Sequence, residues 1–273
     1  MAFPSAVMLG DPDFVPVTRS GITRGVQALG VRAGDVLMVH VRLSALGWVV
    51  GGIDTVVHGL RDAVGPNGTL LAFCGWDDSP YHVKFWPETW QRAYDDLPPF
   101  DPAVSSARRD FGRFPERLRT WPGASRSGHP EVSFAALGPH ASDLLTETDD
   151  PWGPDGPLGQ LVALDGRVLF LGAPLKTLTL CHHAEAIADV EGKRFHEYRM
   201  PVGAEWRDYS TLDTFYGSLP YDAHGIDHPV AVLAEQAVQA GAAREGKLGE
   251  ATTWLFNAPA TVAAAVHWIE RTF

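Results

Sequence analysis

The chain has 273 residues and a formal net charge of −11 at pH 7, with 45% hydrophobic, 10% aromatic and 20% charged residues. This composition supports a full hydrophobic core and excludes a disordered, collagen-like or coiled-coil protein. The acidic balance argues against a nucleic-acid partner and favours tolerance of cationic ligands, although most acidic excess merely keeps a protein soluble.

Cysteine content and hydropathy indicate the compartment. Cys74 and Cys181 lie far apart with no CxxC motif, so we expect neither a disulfide framework nor a four-thiolate zinc site. No stretch reaches the roughly 18 to 20 apolar residues of a membrane span. The N-terminal residues MAFPSAVMLGDPDF contain no basic region before an apolar run. We therefore expect a soluble, cytoplasmic protein with no membrane partner.

The first third of the chain predicts a parallel strand–helix–strand unit. Apolar residues at helical spacing predict helices over 20–29 and 53–64, the second capped by Asp54. The apolar runs 36–40 and 69–74 are typical of strands buried on both faces. A strand, a helix and a strand within about 35 residues have the length of a right-handed crossover, which favours an α/β sheet.

Residues 75–106 predict a long irregular segment rich in proline, aromatic residues and aspartate. Loops of this length inside compact domains are uncommon and are often binding loops. Aromatic faces beside carboxylates suit a cationic organic ligand, which makes Trp76, Asp77 and Asp78 candidate substrate-binding residues. A packed surface loop without such a role is the alternative.

The rest of the chain predicts further alternating elements. Strands are expected over 133–137 and 168–172, helices over 111–119, 141–145, 158–164, 179–190, 230–241 and 258–271, and strand or loop over 197–227. We find no internal repeat and no linker. The sequence therefore predicts one domain over 1–273, with a mostly parallel central sheet flanked by helices and with long inserted loops.

The densest polar cluster is TLCHHAE at 179–185, which follows a predicted strand and opens a predicted helix. In open α/β sheets, binding sites lie beyond the carboxyl ends of the strands. His182 and Glu185 are three residues apart, so they share one face of a helix and the carboxylate can orient the imidazole. A structural hydrogen bond between the two is the alternative.

Other chemistries have weaker support. Cys181 and His182 are adjacent, so their side chains point in different directions and a thiol–imidazole pair is disfavoured. HGIDH at 224–228 lacks the glutamate of HExxH, so no metal site is expected. G-x-S-x-G, P-loop and GxGxxG motifs are absent.

Arginines are concentrated between residues 107 and 127 of an otherwise acidic chain. Guanidinium groups suit phosphates, so this segment is a candidate anion site, with a solvated helix face as the alternative. The residues are Arg108, Arg109, Arg113, Arg117, Arg119 and Arg126.

Several segments together resemble the aminoglycoside 3-N-acetyltransferase family, the antibiotic N-acetyltransferases that are distinct from the GNAT fold. They are the crossover unit at 30–73, FDPAVSS at 100–106, the region from RDFGRF to RSGHP at 109–130, GPLGQL at 156–161, DGRVLFLGA at 165–173 and TLCHHAE at 179–185. The resemblance covers most of the chain, with the motifs in the family's order.

The resemblance implies transfer of the acetyl group of acetyl-CoA to the 3-amino group of the 2-deoxystreptamine ring of an aminoglycoside, which confers resistance. It implies direct attack in a ternary complex, with no metal. His182 falls on the family's catalytic histidine, expected to act as general base, and Glu185 falls on its partner. Asp213 lies near the position of a further acid beside the antibiotic.

The same resemblance implies CoA-binding residues in three segments. They are His40, Val41, Arg42, Leu43 and Ser44 after the first strand, then Gly112, then Arg126 and Ser127. The family usually has His-Ser-Ser where this chain has His40, Val41 and Arg42. Arg42 can instead pair with a CoA phosphate.

Two other functions remain open on the sequence. The chain can be an acetyl-CoA-dependent N-acetyltransferase for another amine, such as a biosynthetic intermediate, or a non-catalytic binder of cationic antibiotics. Either a monomer or a homodimer is compatible with the sequence.

Overall fold

Nine strands carry the architecture of residues 14–273, the part of the chain that the computed structural model describes. They are β1 (Val36–Val41), β2 (Thr69–Phe73), β3 (Ser125–Arg126), β4 (Phe134–Leu137), β5 (Arg167–Leu171), β6 (Phe195–Val202), β7 (Glu205–Leu212), β8 (Ala243–Leu248) and β9 (Ala251–Asn257). Seven of them form one sheet in the order β3-β4-β2-β1-β5-β9-β8, and β6 and β7 form a separate hairpin.

Helices cover both faces of the sheet. They are α1 (Arg19–Leu29), α2 (Gly52–Val64), α3 (Glu88–Ala93), α4 (Arg113–Arg119), α5 (Ala141–Leu144), α6 (Pro157–Ala163), α7 (Leu180–Ile187), α8 (Pro229–Gln239) and α9 (Ala258–Thr272). Short 3-10 helices include Leu43–Leu46, Pro80–Phe85 and Tyr221–His224. Among the described residues, no helix is both long and apolar enough to cross a membrane.

Strand pairing divides the sheet into a parallel centre and antiparallel flanks. β1 pairs in parallel with β2 and with β5. The outer pairs, β2 with β4, β4 with β3, β5 with β9 and β9 with β8, are antiparallel. The predicted α/β class with a central sheet flanked by helices is confirmed, and the parallel pairing belongs to the three central strands.

The alternation of side chains along β1 divides the core into two layers. Leu37 and Val39 point into the layer that includes α1 and α2. Val36 and Met38 point into the opposite layer, which includes α6, α7, α8 and α9. His40 continues the second series, and its ring stacks on Phe170 of β5 at 4.5 Å between centroids. β1 therefore places His40 at the carboxyl end of the central strands, on the face of the sheet that α7 covers.

The segment 75–106 is more ordered than the sequence predicts. It contains the Pro80–Phe85 helix and α3, and its buried aromatic residues pack with the β6–β7 hairpin. This third cluster consists of Trp76, Tyr81, Phe100, Tyr198 and Met200. The segment is therefore an insertion with a small core of its own, and this core fixes its path beside the carboxyl ends of the central strands.

Two further differences from the sequence prediction concern regular elements. The β8–β9 hairpin was not predicted, because the charged residues of AREGKL hide the strand pattern of an edge strand. The helix expected over 179–190 ends at Ile187, since Ala188 has the extended angles φ −57° and ψ 137°. The N-terminal residues 1–13, and with them the start of the predicted single domain, lie outside the described residues.

His129 is a buried titratable group in the turn between β3 and β4. It is 7% exposed, its Nδ1 accepts a hydrogen bond from the backbone N–H of Val132 at 2.9 Å, and its ring packs edge-on against Tyr209. Burial lowers the pKa of His129 from 6.5 to about 4. The imidazole is therefore neutral in the folded chain, where Nδ1 must stay unprotonated to accept its bond.

We expect His129 to make the folded chain less stable as the pH falls from 6.5 to about 4. Its folded pKa lies below its unfolded pKa, so in this window the unfolded chain binds a proton that the folded chain does not. The free energy of unfolding should fall by at most ~1.4 kcal/mol per pH unit through this residue.

Urea unfolding across this pH window measures the effect. Asparagine keeps an acceptor but does not titrate, so His129→Asn should show a flatter pH dependence than the wild type. Equal slopes for His129→Asn and the wild type would contradict the assignment.

Candidate active site

A large cavity lies beyond the carboxyl ends of the three parallel strands. Its wall includes Val41 at the end of β1, Phe73 at the end of β2 and Ala173 just after β5, and its volume is ≈ 1510 Å³. Parallel strands bring their carboxyl ends to one edge of a sheet, and ligands of α/β proteins bind there. The cavity is large enough to hold two reactants side by side.

His182 lies in the first turn of α7 and lines this cavity. Its Nδ1 is 2.7 Å from Glu185 Oε2, across the predicted spacing of three residues. The side chains are 17% and 1% exposed, respectively. Because Nδ1 donates to the carboxylate, Nε2 is left as the acceptor nitrogen. Within the described residues no hydrogen bond engages Nε2, which leaves it available for a reactant.

Glu185 has a second partner that the sequence analysis did not find. The hydroxyl of Tyr221 donates to Glu185 Oε1 at 2.6 Å. Burial and the Glu185 carboxylate raise the pKa of Tyr221 far above its ordinary value, so the hydroxyl keeps its proton and remains a donor. Tyr221, Glu185 and His182 therefore form a hydrogen-bond chain from the core to the cavity. Tyr221 is 36 residues from Glu185, and no local pattern connects the two.

Neighbouring side chains fix the orientation of His182. The Trp152 ring packs edge-on against the imidazole with centroids 5.2 Å apart. The backbone carbonyl of Trp152 accepts a hydrogen bond from His183 Nδ1 at 2.8 Å, so the second histidine of the motif is directed away from the first. Cys181 is buried, and burial raises the pKa of its thiol, with Glu185 adding to the effect. This thiol is protonated and does not line the cavity.

Cationic residues line one part of the cavity, whose wall also includes the acidic residues Asp54 and Asp110. All five predicted residues of 40–44 line the cavity, and so does Gly112. Arg42, Arg113 and Lys176 also line it, and no hydrogen bond or ion pair within residues 14–273 engages their side-chain cations. The first turn of α2 reaches the same wall through Gly52, where backbone N–H groups favour anions.

Gly112 allows the close approach of two cavity segments. Its φ is +86°, and a Cβ at this position would lie 3.3 Å from the carbonyl oxygen of Val41. A larger residue would therefore strain the turn and push residues 109–113 away from the loop after β1. The glycine contributes to the cavity through its backbone.

The structure places Arg126 and Ser127 outside the cavity wall. The Arg126 guanidinium donates to the carbonyl oxygens of Gly75 and Ser105 and to Ser133 Oγ at 3.1 Å. Ser127 Oγ accepts a hydrogen bond from the Phe134 N–H at 3.0 Å. Arg126 thus fastens both ends of the 75–106 insertion to the sheet, and each of its three nitrogens already donates a hydrogen bond within the protein.

The three predicted substrate-binding residues of the insertion also lie off the cavity wall. Trp76 is buried against Phe100, Asp77 accepts a hydrogen bond from Arg109 Nε at 2.6 Å, and Asp78 accepts one from the Tyr94 hydroxyl at 3.1 Å. Both carboxylates are therefore already engaged, Asp78 within the insertion and Asp77 by an arginine just beyond its end.

Asp213, the fourth predicted substrate residue, holds a turn. Its Oδ1 accepts a hydrogen bond from the backbone N–H of Tyr216 at 2.8 Å. The turn presents Thr214 and Phe215 to the cavity, whereas Asp213 itself is not part of the wall. Asp213 therefore affects the cavity indirectly, by holding the turn that carries Thr214 and Phe215.

The acidic residue that does line the cavity in this region is Glu131, directly after the RSGHP motif. Its Oε1 lies 3.0 Å from Arg108 Nη1, and Ser79 donates to its other oxygen. Burial raises the pKa of Glu131, while Arg108 and Ser79 act in the opposite direction. The sequence alone does not identify this residue, because a single glutamate after a motif carries no periodic signal.

His40 forms another polar part of the wall. Burial lowers the pKa of His40 to about 4, so the ring is neutral. Its Nε2 is buried and has no hydrogen-bond partner among the described residues. Within residues 14–273, no group of three or more histidine, cysteine, aspartate or glutamate side chains is arranged to hold a metal ion.

Comparisons with known proteins agree with this architecture. The sequence pattern of the family described as aminoglycoside 3-N-acetyltransferase matches residues 38–270. Aminoglycoside N(3)-acetyltransferase VIII of Streptomyces fradiae is 48% identical over 266 residues, which span 93% of this chain and 92% of the relative.

Two solved structures show the same fold. The aminoglycoside acetyltransferase AAC(3)-Xa superposes with a TM-score of 0.89 at 48% identity and covers 94% of each chain. The AAC-IIIb binary complex with CoASH has a TM-score of 0.86 at 38% identity, over 95% of this chain and 98% of that one. On these matches, the chain belongs to the aminoglycoside 3-N-acetyltransferase family.

Proposed function

We propose that this chain transfers the acetyl group of acetyl-CoA to the amino group at position 3 of a 2-deoxystreptamine aminoglycoside, which makes it a resistance enzyme. One observation carries the proposal: a cavity-lining histidine is held by a buried carboxylate, with Nδ1 and Oε2 2.7 Å apart and Nε2 left for a reactant. The solved complex of AAC-IIIb with CoASH supports the co-substrate.

The cationic wall suits the phosphates of acetyl-CoA. Arg42, Arg113 and Lys176 line the cavity, and the first turn of α2 adds backbone N–H groups. A guanidinium can take a phosphate in bidentate fashion. Arg42 follows β1 directly, so a phosphate bound there would lie at the same sheet edge as the site of chemistry. The pantetheine arm of the co-substrate would then extend along the 40–44 loop toward His182.

The reaction needs a base because an ammonium group is not a nucleophile. His182 Nε2 takes a proton from the substrate ammonium, and the amine nitrogen then attacks the thioester carbonyl carbon. The new C–N bond forms, the C–S bond breaks, and the departing CoA thiolate receives the proton that His182 holds. The second proton that the nitrogen loses on becoming an amide then passes through the freed Nε2 to solvent. Glu185 stabilises the imidazolium between these two steps. No acetyl group is transferred to the protein.

The acceptor side of the cavity suits a polycation. Glu131 lines the wall there as an ion pair with Arg108, and the net charge of −11 raises the local concentration of cationic substrates. A non-catalytic binder would need neither an oriented histidine nor a cationic wall, so these two features together favour the enzyme.

We expect His182→Ala to lower kcat by about 100- to 10,000-fold, because the amine loses its general base. Release of free thiol from acetyl-CoA in the presence of an aminoglycoside measures it. His140→Ala is a matched control, since His140 also pairs through Nδ1 with a carboxylate three residues later, Asp143, at 2.9 Å, but lies off the cavity wall. Activity of His182→Ala within about threefold of wild type would refute the role.

Tyr221→Phe should lower kcat by about tenfold and leave the KM for acetyl-CoA unchanged, because one oxygen of a buried carboxylate loses its donor and the orientation of His182 loosens. Tyr94→Phe removes a hydroxyl that donates to Asp78 outside the cavity, and this control should keep the wild-type kcat.

A double substitution separates this positioning role from general destabilisation. If Tyr221 acts through Glu185, adding Tyr221→Phe to Glu185→Gln should cost little further activity. Independent, multiplicative losses in the double variant would show that Tyr221 does not act through the carboxylate.

A further inference from the structure

Four aromatic side chains form a collar at the acceptor side of the cavity: His82, Phe85, Phe215 and Tyr216. Ring centroids are 4.2 Å apart for His82 and Phe215, 4.9 Å for Phe215 and Tyr216, and 5.2 Å for Phe85 and Tyr216. His82 Nδ1 also lies 2.8 Å from the Tyr216 hydroxyl oxygen. Two segments distant in the sequence thus meet in one continuous aromatic surface.

The collar opens onto the reaction cavity. His82 and Phe215 line it, together with the hydroxyl-bearing Thr211 and Thr214. Phe215 is 61% exposed even though it lies on the cavity wall. A large apolar side chain left in water at the mouth of a cavity is typical of a surface that a ligand covers.

Both halves of the collar are held in place by the protein. The Asp213 carboxylate accepts the Tyr216 N–H, and the Gly217 N–H donates to the Asp213 carbonyl at 3.1 Å, which fixes the turn that carries Phe215. On the other half, Lys84 Nζ donates to the carbonyl oxygen of Glu197 at 2.9 Å. Binding of a ligand to the collar therefore costs little free energy for ordering these side chains.

The carboxylate of Asp213 lies beside the collar, directly before the Phe215 turn. Glu131 is held by Ser79 and by an ion pair with Arg108. Lys84 Nζ already lies 5.3 Å from the Phe85 ring centroid, so the exposed Phe215 ring is the face offered to a ligand. Aromatic faces beside carboxylates suit a molecule with both an apolar ring face and ammonium groups, because a cation over an aromatic ring is attracted to the π face. An amino sugar has both features.

We propose that the aromatic collar binds an amino-sugar ring of the acceptor other than the ring that is acetylated, and that Phe215 is a specificity-determining residue for acceptors that carry this ring. The proposal rests on the proposed function, since the collar would bind the same aminoglycoside acceptor. It assigns to Asp213 the role of holding Phe215 in position. The adenine of CoA is the competing occupant of such a surface, and the test separates the two.

The test compares two aminoglycosides that share the 2-deoxystreptamine ring and one sugar, of which only the larger carries an additional amino sugar. Thiol-release kinetics are measured for the wild type, Phe215→Ala, Phe215→Tyr and Phe195→Ala. Phe195 is a matched control because it is 59% exposed on β6 and does not line the cavity. Calorimetric titration with the same two aminoglycosides gives a readout that does not depend on turnover.

For Phe215→Ala we expect a KM about fivefold higher for the larger acceptor, with less than about a twofold change for the smaller one and for acetyl-CoA, and with kcat retained. Phe215→Tyr keeps an aromatic ring and should therefore keep the wild-type KM. Phe195→Ala should not differ from wild type. The calorimetric dissociation constants should follow the same pattern.

Three results would overturn the collar assignment. They are an equal rise in KM for both acceptors, no change for either, and a rise confined to acetyl-CoA, which would assign the surface to adenine. Failure of the proposed function is a separate result, because the wild type and Phe195→Ala would then release no thiol with any aminoglycoside. Calorimetry would in that case still decide whether the collar binds the larger acceptor more tightly.

Discussion

A carboxylate removed from water needs partners, and the two partners of Glu185 determine how the site is built. Its side chain is almost completely buried, with His182 on one oxygen and the Tyr221 hydroxyl on the other. Leaving either oxygen unpaired would carry a desolvation penalty of about 1–3 kcal/mol or more. The same bonds that satisfy the carboxylate also fix the imidazole tautomer, so one local requirement serves both stability and chemistry.

The fold places the cavity beside this hydrogen-bond chain. Parallel pairing of β1 with β2 and β5 places three carboxyl ends at one edge of the sheet, and α7 begins a few residues after β5. The cations that suit a phosphate-bearing co-substrate are Arg42 after β1, Lys176 after β5 and Arg113 at the start of α4. Glu131 lies between β3 and β4, and the aromatic collar comes from the 75–106 insertion and the turn after β7. In the proposed function, the sheet edge carries the reaction centre and these loops carry the acceptor side.

The local sequence pattern is sufficient to predict the pair at the centre of the site, His182 and Glu185. The spacing of His182 and Glu185 on a helix predicts their contact, because residues three apart share a helix face. The central crossover was likewise readable from continuous apolar runs. The positions of the 40–44 loop and Gly112 on the cavity wall agree with what the family resemblance implies, and their contacts with CoA remain a prediction.

The features of the site that the sequence does not predict depend on contacts between residues that are far apart in the chain. Arg126 reads as an anion-binding arginine, yet its donors are taken by carbonyls 51 and 21 residues away. Asp77 is likewise bound by Arg109, and Asp78 by the Tyr94 hydroxyl. Tyr221 joins the site by tertiary packing alone. In each case the decisive partner is set by the folded arrangement of distant segments, which residue type and spacing do not encode.

The central claim is that a His182 base drives direct transfer with both substrates bound. The most direct test is the initial rate of thiol release from acetyl-CoA, measured while acetyl-CoA and an aminoglycoside are varied together. Direct transfer predicts no release without the aminoglycoside and double-reciprocal lines that intersect. A burst of thiol equal to the amount of enzyme in the absence of acceptor, with parallel lines in its presence, would show an acetyl-enzyme and contradict the account.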